Sequence, residues 1–597
     1  MRKDIMPSGG PYIRFSDLYN RKPSSEEVVD LIKDLDCLHT VLLLARLTTQ
    51  VRHALFQRKE GDLAWIQGFF AFNFLDDDVK ARIESRVKNF GAMRPACHPL
   101  QLFNLLRLSL GVCRGYIRPD VDESARKRLG KALLMENDLL LTPVEEERIL
   151  TGKDDDRRLD LMVQMLAPME LLNPTPPRHL LVRAYVLYHK LLRDGALCQT
   201  IREQCGGLQI LEEFEKGTGV HLYKWLNLLF ATWTHFMHPT QPQLTADSSL
   251  FILNPTVFLG QSKVKQSDFK ALLNAISISF ETLQLEMAQQ RPVDPRVDLV
   301  PIKARPLCQI NEYAITCLDT ALLVEKMFAG VHWLIHDGLN TPQERGHLFS
   351  AWGLLFEKYV QWLFAGLQGR HGNVFLSDIS WKNGDKSFDG LLLKGHIIAV
   401  MEYKGGFLRQ DAKYALDRET TLADMESKYV AKGCRQIALH LERMFPLGKP
   451  RARCVCGGAS KQIDIEIPEA IKSVMPILIV QDAALSGLLV NWWLNKRFQE
   501  ELARRKVDTA LRILPLTVIQ VDELETMVES AESGDFDFTG TIERRCSADP
   551  DMLSQLQDFL FAAKGFPTER SERFEEIHAR DQKQLTEYLF FTGELSD

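Results

Sequence analysis

The stretch Ser387–Gly406, SFDGLLLKGHIIAVMEYKGG, sets ionisable groups into segments that otherwise read as buried strand. Asp389 stands at the start of one apolar run, and Glu402 and Lys404 close the next as a Glu-x-Lys triplet. Side chains alternate along a strand, so Ile398, Val400, Glu402 and Lys404 share one face. A two-residue turn at Lys394–Gly395 would pair Leu393 with His396 and set Asp389 diagonal to Glu402 on that face. A four-residue loop would oppose the two acids directly, and an odd loop or a bulge would send them to opposite sides of the sheet. Two carboxylates on one face repel and lose hydration. A hard cation such as Mg2+ reverses that cost, because it takes carboxylate oxygens while keeping several waters. Water on such an ion becomes more acidic, and the ion stabilises charge developing on a phosphate. Lys404, one strand step beyond Glu402, is placed to orient or deprotonate that water. Gly405 and Gly406 then leave the strand end uncovered, so that a phosphodiester backbone can approach.

Asp389 followed by Glu402-x-Lys404 in a hairpin resembles the core motif of the PD-(D/E)XK nuclease superfamily. The resemblance spans roughly residues 298–529. It implies Asp389 and Glu402 as ligands of Mg2+, with Mn2+ as a substitute, assisted by the Tyr403 carbonyl. It implies Lys404 as the group acting on the attacking water. Members commonly carry a further glutamate on the helix before the hairpin, a place that Glu357 can fill. Some branches add a glutamine on the helix after the triplet, and Gln436 in CRQIALHLERM matches it. Phe388 stands where the motif has proline, which removes no ligand. The triplet alone defines little, since Glu426-Ser427-Lys428 repeats it in a helical setting. The implied activity is metal-dependent phosphodiester hydrolysis, with DNA ahead of RNA as substrate. The resemblance to restriction and phage-defence nucleases implies a role in bacterial defence. The rival expectation is a catalytically inactive scaffold that keeps the fold for binding nucleic acid or a partner protein.

The elements around the hairpin must position these groups. Residues 25–290 read as helix after helix, opened by Ser24-Ser25-Glu26-Glu27, whose serines can cap and whose acids suit the helix dipole. Apolar residues recur at three- and four-residue steps over Pro99–Val112, Leu159–Leu172, His179–Leu192, Leu208–Phe236 and Asp268–Met287. Prolines break the pattern at 174–177, 238–242 and 291–295. From about Asp298 short β-like runs alternate with helices. Gly353–Leu367 reads as an apolar helix, Gln462–Ile467 as an alternating strand and Val474–Val480 as a strand buried on both faces. A helix over residues 488–505, a strand over Leu514–Val521 and a helix opened by Asp522 follow. The expected division is an all-α domain over residues 1–296, an α/β nuclease-like domain over 297–530 with a mixed sheet flanked by helices, and an acidic helical extension over 531–597.

Composition bounds the partners. The chain has 597 residues, 45% of them apolar and 25% charged, the balance of a folded protein of two or three domains. No apolar run approaches a membrane span, and MRKDIMPSGG has no apolar stretch after its charges, which speaks against a secretory signal. The 11 cysteines are scattered and odd in number, as in reduced cytoplasmic proteins. Cys454 and Cys456 lack the second knuckle that a structural zinc site needs. No Walker loop or serine-hydrolase elbow occurs. The net charge is −6, so any contact with nucleic acid must be local. Residues 401–461 hold 12 Lys or Arg against 7 Asp or Glu, and Lys449, Arg451 and Arg453 lie in a loop suited to phosphate. A companion ATPase or helicase, another defence protein and a second copy of the chain are the protein partners left open.

Overall fold

The computed structural model describes residues 13–57, 60–90, 95–114, 122–140, 154–172, 175–237, 251–289, 300–457, 463–487, 489–534, 536–556 and 571–589. They form two compact units, each drawn from separated pieces of chain. One takes residues 1–154, 214–334 and 583–597, and the other takes 155–213 and 335–582. The linear division at residue 296 therefore does not follow the packing. Charged groups on the helices of 155–213 find their partners far along the chain, whereas residues 307–317 pair with a strand at 277–279. Helical periodicity carries no information about such distant partners.

The first unit is mainly helical. Ser24 caps the helix Ser25–Ile32 as expected, its hydroxyl accepting from Glu27 N while the Glu27 carboxylate accepts from Ser24 N at 2.9 Å. Helices Cys37–Gln57 and Pro99–Val112 pack against each other, and Arg52 pairs with Asp319 at 3.0 Å with neither side chain exposed. The unit is not all-α, however. Strand β1 (Ser277–Ser279) interrupts the helical reading of 268–287 and pairs in parallel with β2 (Leu307–Asn311), which pairs antiparallel with β3 (Ala314–Cys317). In Ser-Ile-Ser only the isoleucine is buried, which is the period of a strand.

The second unit is a mixed sheet between helices. Its strands are β4 (Val374–Ser377), β5 (Ile379–Trp381), β6 (Gly390–Lys394), β7 (Ile397–Lys404), β8 (Cys454–Cys456), β9 (Ile463–Ile465), β10 (Ser473–Val480), β11 (Arg512–Ile513) and β12 (Thr517–Gln520). The main sheet runs β4-β6-β7-β10, and β11 and β12 both pair with β10. The first three strands are antiparallel neighbours, and β10 lies parallel to β7, β11 and β12. Every residue of β10 is buried, as its continuous apolar run predicts. Strands β5, β8 and β9 form a separate antiparallel sheet. Gln462 lies outside the described residues.

Helices α1 (Asp155–Leu172), α2 (Pro177–Ala184), α3 (Pro342–Ala365), α4 (Arg418–Met425), α5 (Arg435–Met444), α6 (Val490–Ala503) and α7 (Val521–Glu532) are among those that pack in this unit. Between α4 and α5 the chain stays helical but widens into π-type turns over Glu426–Cys434. Phe364 of α3 stacks on Phe375 of β4 at 5.4 Å, on the face opposite Glu402. The π-type segment packs on the Glu402 face, where a Cβ at Gly433 would come within 3.0 Å of Leu478, the residue paired with Glu402. The α7 cap is Gln520 rather than Asp522, whose carboxylate is instead drawn to Arg183. Helix Phe538–Ala548 also packs into this unit, with Asp537 pairing to Lys394 at 2.6 Å, so the described part of the acidic extension is not a detached tail.

A buried ionic clamp holds α3 in place. Arg183 of α2 binds Asp522 and, through Nε at 2.8 Å, Glu525 of α7. The Tyr359 hydroxyl of α3 donates to that same Glu525. Removing one partner from such a buried group leaves uncompensated charge, at a cost of about 3–5 kcal/mol. Arg183→Met should lower the urea midpoint of this unit correspondingly, a loss readable by following tryptophan fluorescence through the unfolding transition.

Candidate active site

The hairpin turns one residue later than its sequence suggests. Lys394 pairs with Ile397, so Gly395 and His396 form the two-residue loop, and Gly395 takes φ 56° at its first position. That shift carries the ladder to Gly390 opposite Met401 and brings Asp389 level with Glu402 rather than with Val400. Beyond Gly390 the regular bonding stops. The Asp389 N–H donates to the Met401 carbonyl at 3.1 Å, and the Asp389 carboxylate accepts the Tyr403 N–H at 2.8 Å. A side chain thus replaces a main-chain acceptor at the strand end and fixes the acid there.

Five of the predicted residues come together around this point. Glu402 is almost fully buried, and Lys404 donates to its Oε1 at 2.6 Å. Gln436 of α5, with its amide nitrogen turned inward, donates to Glu402 Oε1 at 3.1 Å and to the Lys432 carbonyl at 2.6 Å. Glu357 of α3 comes from the other side, its Oε2 held by Lys386 at 2.8 Å. Lys386 also reaches Asp389 Oδ1 at 3.0 Å and so joins the two acids. Burial first, and Asp389 second, push the Glu402 carboxyl up to about 8 and raise that of Glu357 as well. For Lys386 burial acts downward, but Asp389 and Glu357 outweigh it and its ammonium is held more firmly charged than usual. The carboxylates are therefore near enough to repel, as a shared cation site requires.

The donor set suits a hard cation. Glu402 Oε2 is buried with no hydrogen-bond partner, an acceptor left without a donor in a site of oxygen ligands. Asp389 and Glu402 would hold Mg2+. Among the described residues no three His, Cys, Asp or Glu side chains gather closely enough to enclose a metal, which leaves water and substrate oxygens to complete such a shell.

Two residues of the cluster lie outside the motif. Lys386 sits three residues before Asp389, at the end of a small hairpin that bridges Ser380 to Lys386. His440 follows Gln436 by one helical turn, 7% exposed, with both ring nitrogens lacking partners. Its ring lies between Phe388, at 5.2 Å, and Trp381, at 5.9 Å. Burial pushes His440 down to about 4, against the pull of Asp389, so the imidazole is neutral near pH 7. The i, i+4 spacing from Gln436 was the available signal for it.

The basic loop is differently engaged. Arg451 donates to the carbonyls of Pro468, Glu469 and Ile471, and Arg453 pairs with Glu466. Much of the local positive excess is matched by acids elsewhere in the chain, as in Arg418 with Asp156, Lys413 with Glu170 and Arg435 with Glu501. Among the described residues the Lys449 side chain has no ion-pair partner. No family model, no curated protein and no solved structure matches this chain.

Because folding raises the Glu402 carboxyl from 4.5 to about 8, the folded protein binds the extra proton between those values. This contribution to stability is complete below about pH 4.5 and is lost as pH climbs through 8. Glu402→Gln should therefore melt near the wild type at pH 5 and several degrees above it at pH 8.5, both measured in chelator, where only the wild type buries a charge.

Proposed function

We propose that this chain is a metal-dependent nuclease of the PD-(D/E)XK kind, a DNA endonuclease acting in bacterial phage defence or restriction. The carrying observation is the convergence of Asp389, Glu402 and Lys404 at one strand end, with Glu357 and Gln436 supplied by helices on either side. The mixed sheet flanked by helices is compatible with that reading. Mg2+, or Mn2+ in its place, would be held by Asp389 and Glu402 and supply Lewis-acid stabilisation of the phosphorane charge and a more acidic water. Lys404, anchored by Glu402, orients the attacking water and stabilises the charge developing on the phosphate. Glu357 holds a further water or cation position, and Gln436 fixes the Glu402 carboxylate. A Cβ at Gly405 would sit 2.8 Å from Phe356, so that position is closed by packing against α3, whereas a Cβ at Gly406 would meet nothing within 4 Å, and it is there that a phosphodiester would approach.

No helix among the described residues is long and apolar enough to cross a bilayer. A cytoplasmic location, and a companion ATPase, helicase or second copy of the chain, belong to the same proposal. One observation favours the inactive-scaffold reading instead. Lys386 and Lys404 between them pair with Glu357, Asp389 and Glu402.

Purified protein should cut at least one of duplex DNA, single-stranded DNA or RNA with Mg2+ or Mn2+. Lys404→Ala and Asp389→Ala should each reduce that rate by about 10²–10⁴-fold while the far-ultraviolet circular dichroism stays that of the wild type. If the wild type cuts no substrate of that panel, alone or with its neighbours in the genome, the scaffold reading replaces this one.

A further inference from the structure

We propose that Lys386 is a built-in placeholder for the divalent cation, and that metal loads by displacing its ammonium from Glu357 and Asp389. The inference rests on the metal-binding reading above and deepens it. Lys386 Nζ lies 2.8 Å from Glu357 Oε2 and 3.0 Å from Asp389 Oδ1. The two acids are almost buried, with side chains 14% and 6% exposed, while the Lys386 side chain is 57% exposed. It therefore enters from solvent, with an open path of retreat.

The lysine's backbone is fixed. Trp381 N donates to the Asp385 carbonyl at 2.8 Å and Ser387 N to the Ile379 carbonyl at 3.0 Å, and Ser380 bridges Lys386. Departure of the ammonium thus needs only side-chain rotation. An ammonium and a hydrated Mg2+ compete for the same carboxylate oxygens, and two cations cannot share them.

The two lysines of the site divide the work by their anchors. Lys404 is 18% exposed and bound to Glu402 Oε1, leaving Oε2 open, so it can stay while a cation enters. Lys386 cannot, because the Asp389 oxygen it uses is the one left over from the Tyr403 amide. Once freed, its ammonium is offered at the exposed mouth of the site, where a phosphodiester would attract it away from the acids. Substrate and cation would then load cooperatively.

The test is calorimetric titration of the full chain with MgCl2 and with MnCl2, for the wild type, Lys386→Met and Lys386→Arg. Removal of the competing charge should tighten cation binding at least tenfold in Lys386→Met, while Lys386→Arg stays within threefold of wild type. Equal or weaker binding by Lys386→Met overturns the inference, and so does absence of binding in both proteins. A parallel cleavage assay separates the two readings. Wild-type cleavage with no tightening in Lys386→Met defeats the placeholder alone. Tightening without cleavage by any form defeats the nuclease and leaves the placeholder standing.

Discussion

The hydrogen bond from the Tyr403 amide to the Asp389 carboxylate, 2.8 Å long, organises the whole site. It ends the β6–β7 ladder by substituting a side-chain oxygen for a peptide oxygen, and thereby leaves a carboxylate where a strand would have kept a neutral group. Glu402 is adjacent on β7 and Glu357 arrives from α3, so three acids meet where water is scarce. The energetic problem this creates is severe, since like charges in a poorly hydrated place cannot all remain ionised. The molecule answers with two ammonium groups and a retained proton.

That arrangement depends on the layers around it. Helix α3 is held on one face of the sheet through Tyr359 and the Arg183 clamp, and the π-type turns and α5 are held on the other by the close approach of Gly433 to Leu478. The clamp also explains why the helices of 155–213 belong with the sheet. Lys413, between Glu170 and Asp482, makes a second buried junction of this sort, and Asp482 in turn accepts the Leu408 N–H just beyond the strand that carries Glu402 and Lys404.

Local pattern is enough for the hairpin, the buried strand β10 and the second half of the helix bearing Glu357, because each is written in nearby residues, but that helix starts at Pro342 behind the Thr341 cap, ahead of the apolar stretch from Gly353 that marks it. The turn was misplaced by one residue. Lys394 reads as a turn residue, yet Gly395 is the residue able to take φ 56° at the first loop position, and that requirement sets the register. Lys386 went unread because it precedes the motif, and its role follows only from the small hairpin that brings it back to Asp389. His440 has only its i, i+4 spacing from Gln436 to mark it, and nothing local shows a ring closed in by Trp381 and Phe388. The β1–β3 sheet and the division into units depend on pairings far apart in sequence, to which helical periodicity is blind. The loop holding Arg451 and Arg453 shows the same limit, as charges that look free in sequence are spent on carbonyls and a carboxylate.

The interleaving of the two units has a consequence for how the chain is made. Residues 155–213 leave the ribosome long before residues 335–582, with which they pack. At about 5–20 residues per second, the helix bearing Arg183 waits on the order of tens of seconds for the acids on α7. Through that interval its guanidinium and apolar face have no native shelter. Nascent chains stalled in this window would be the forms most in need of a chaperone, and the sheet-bearing unit could not be produced by simply starting translation at the sheet.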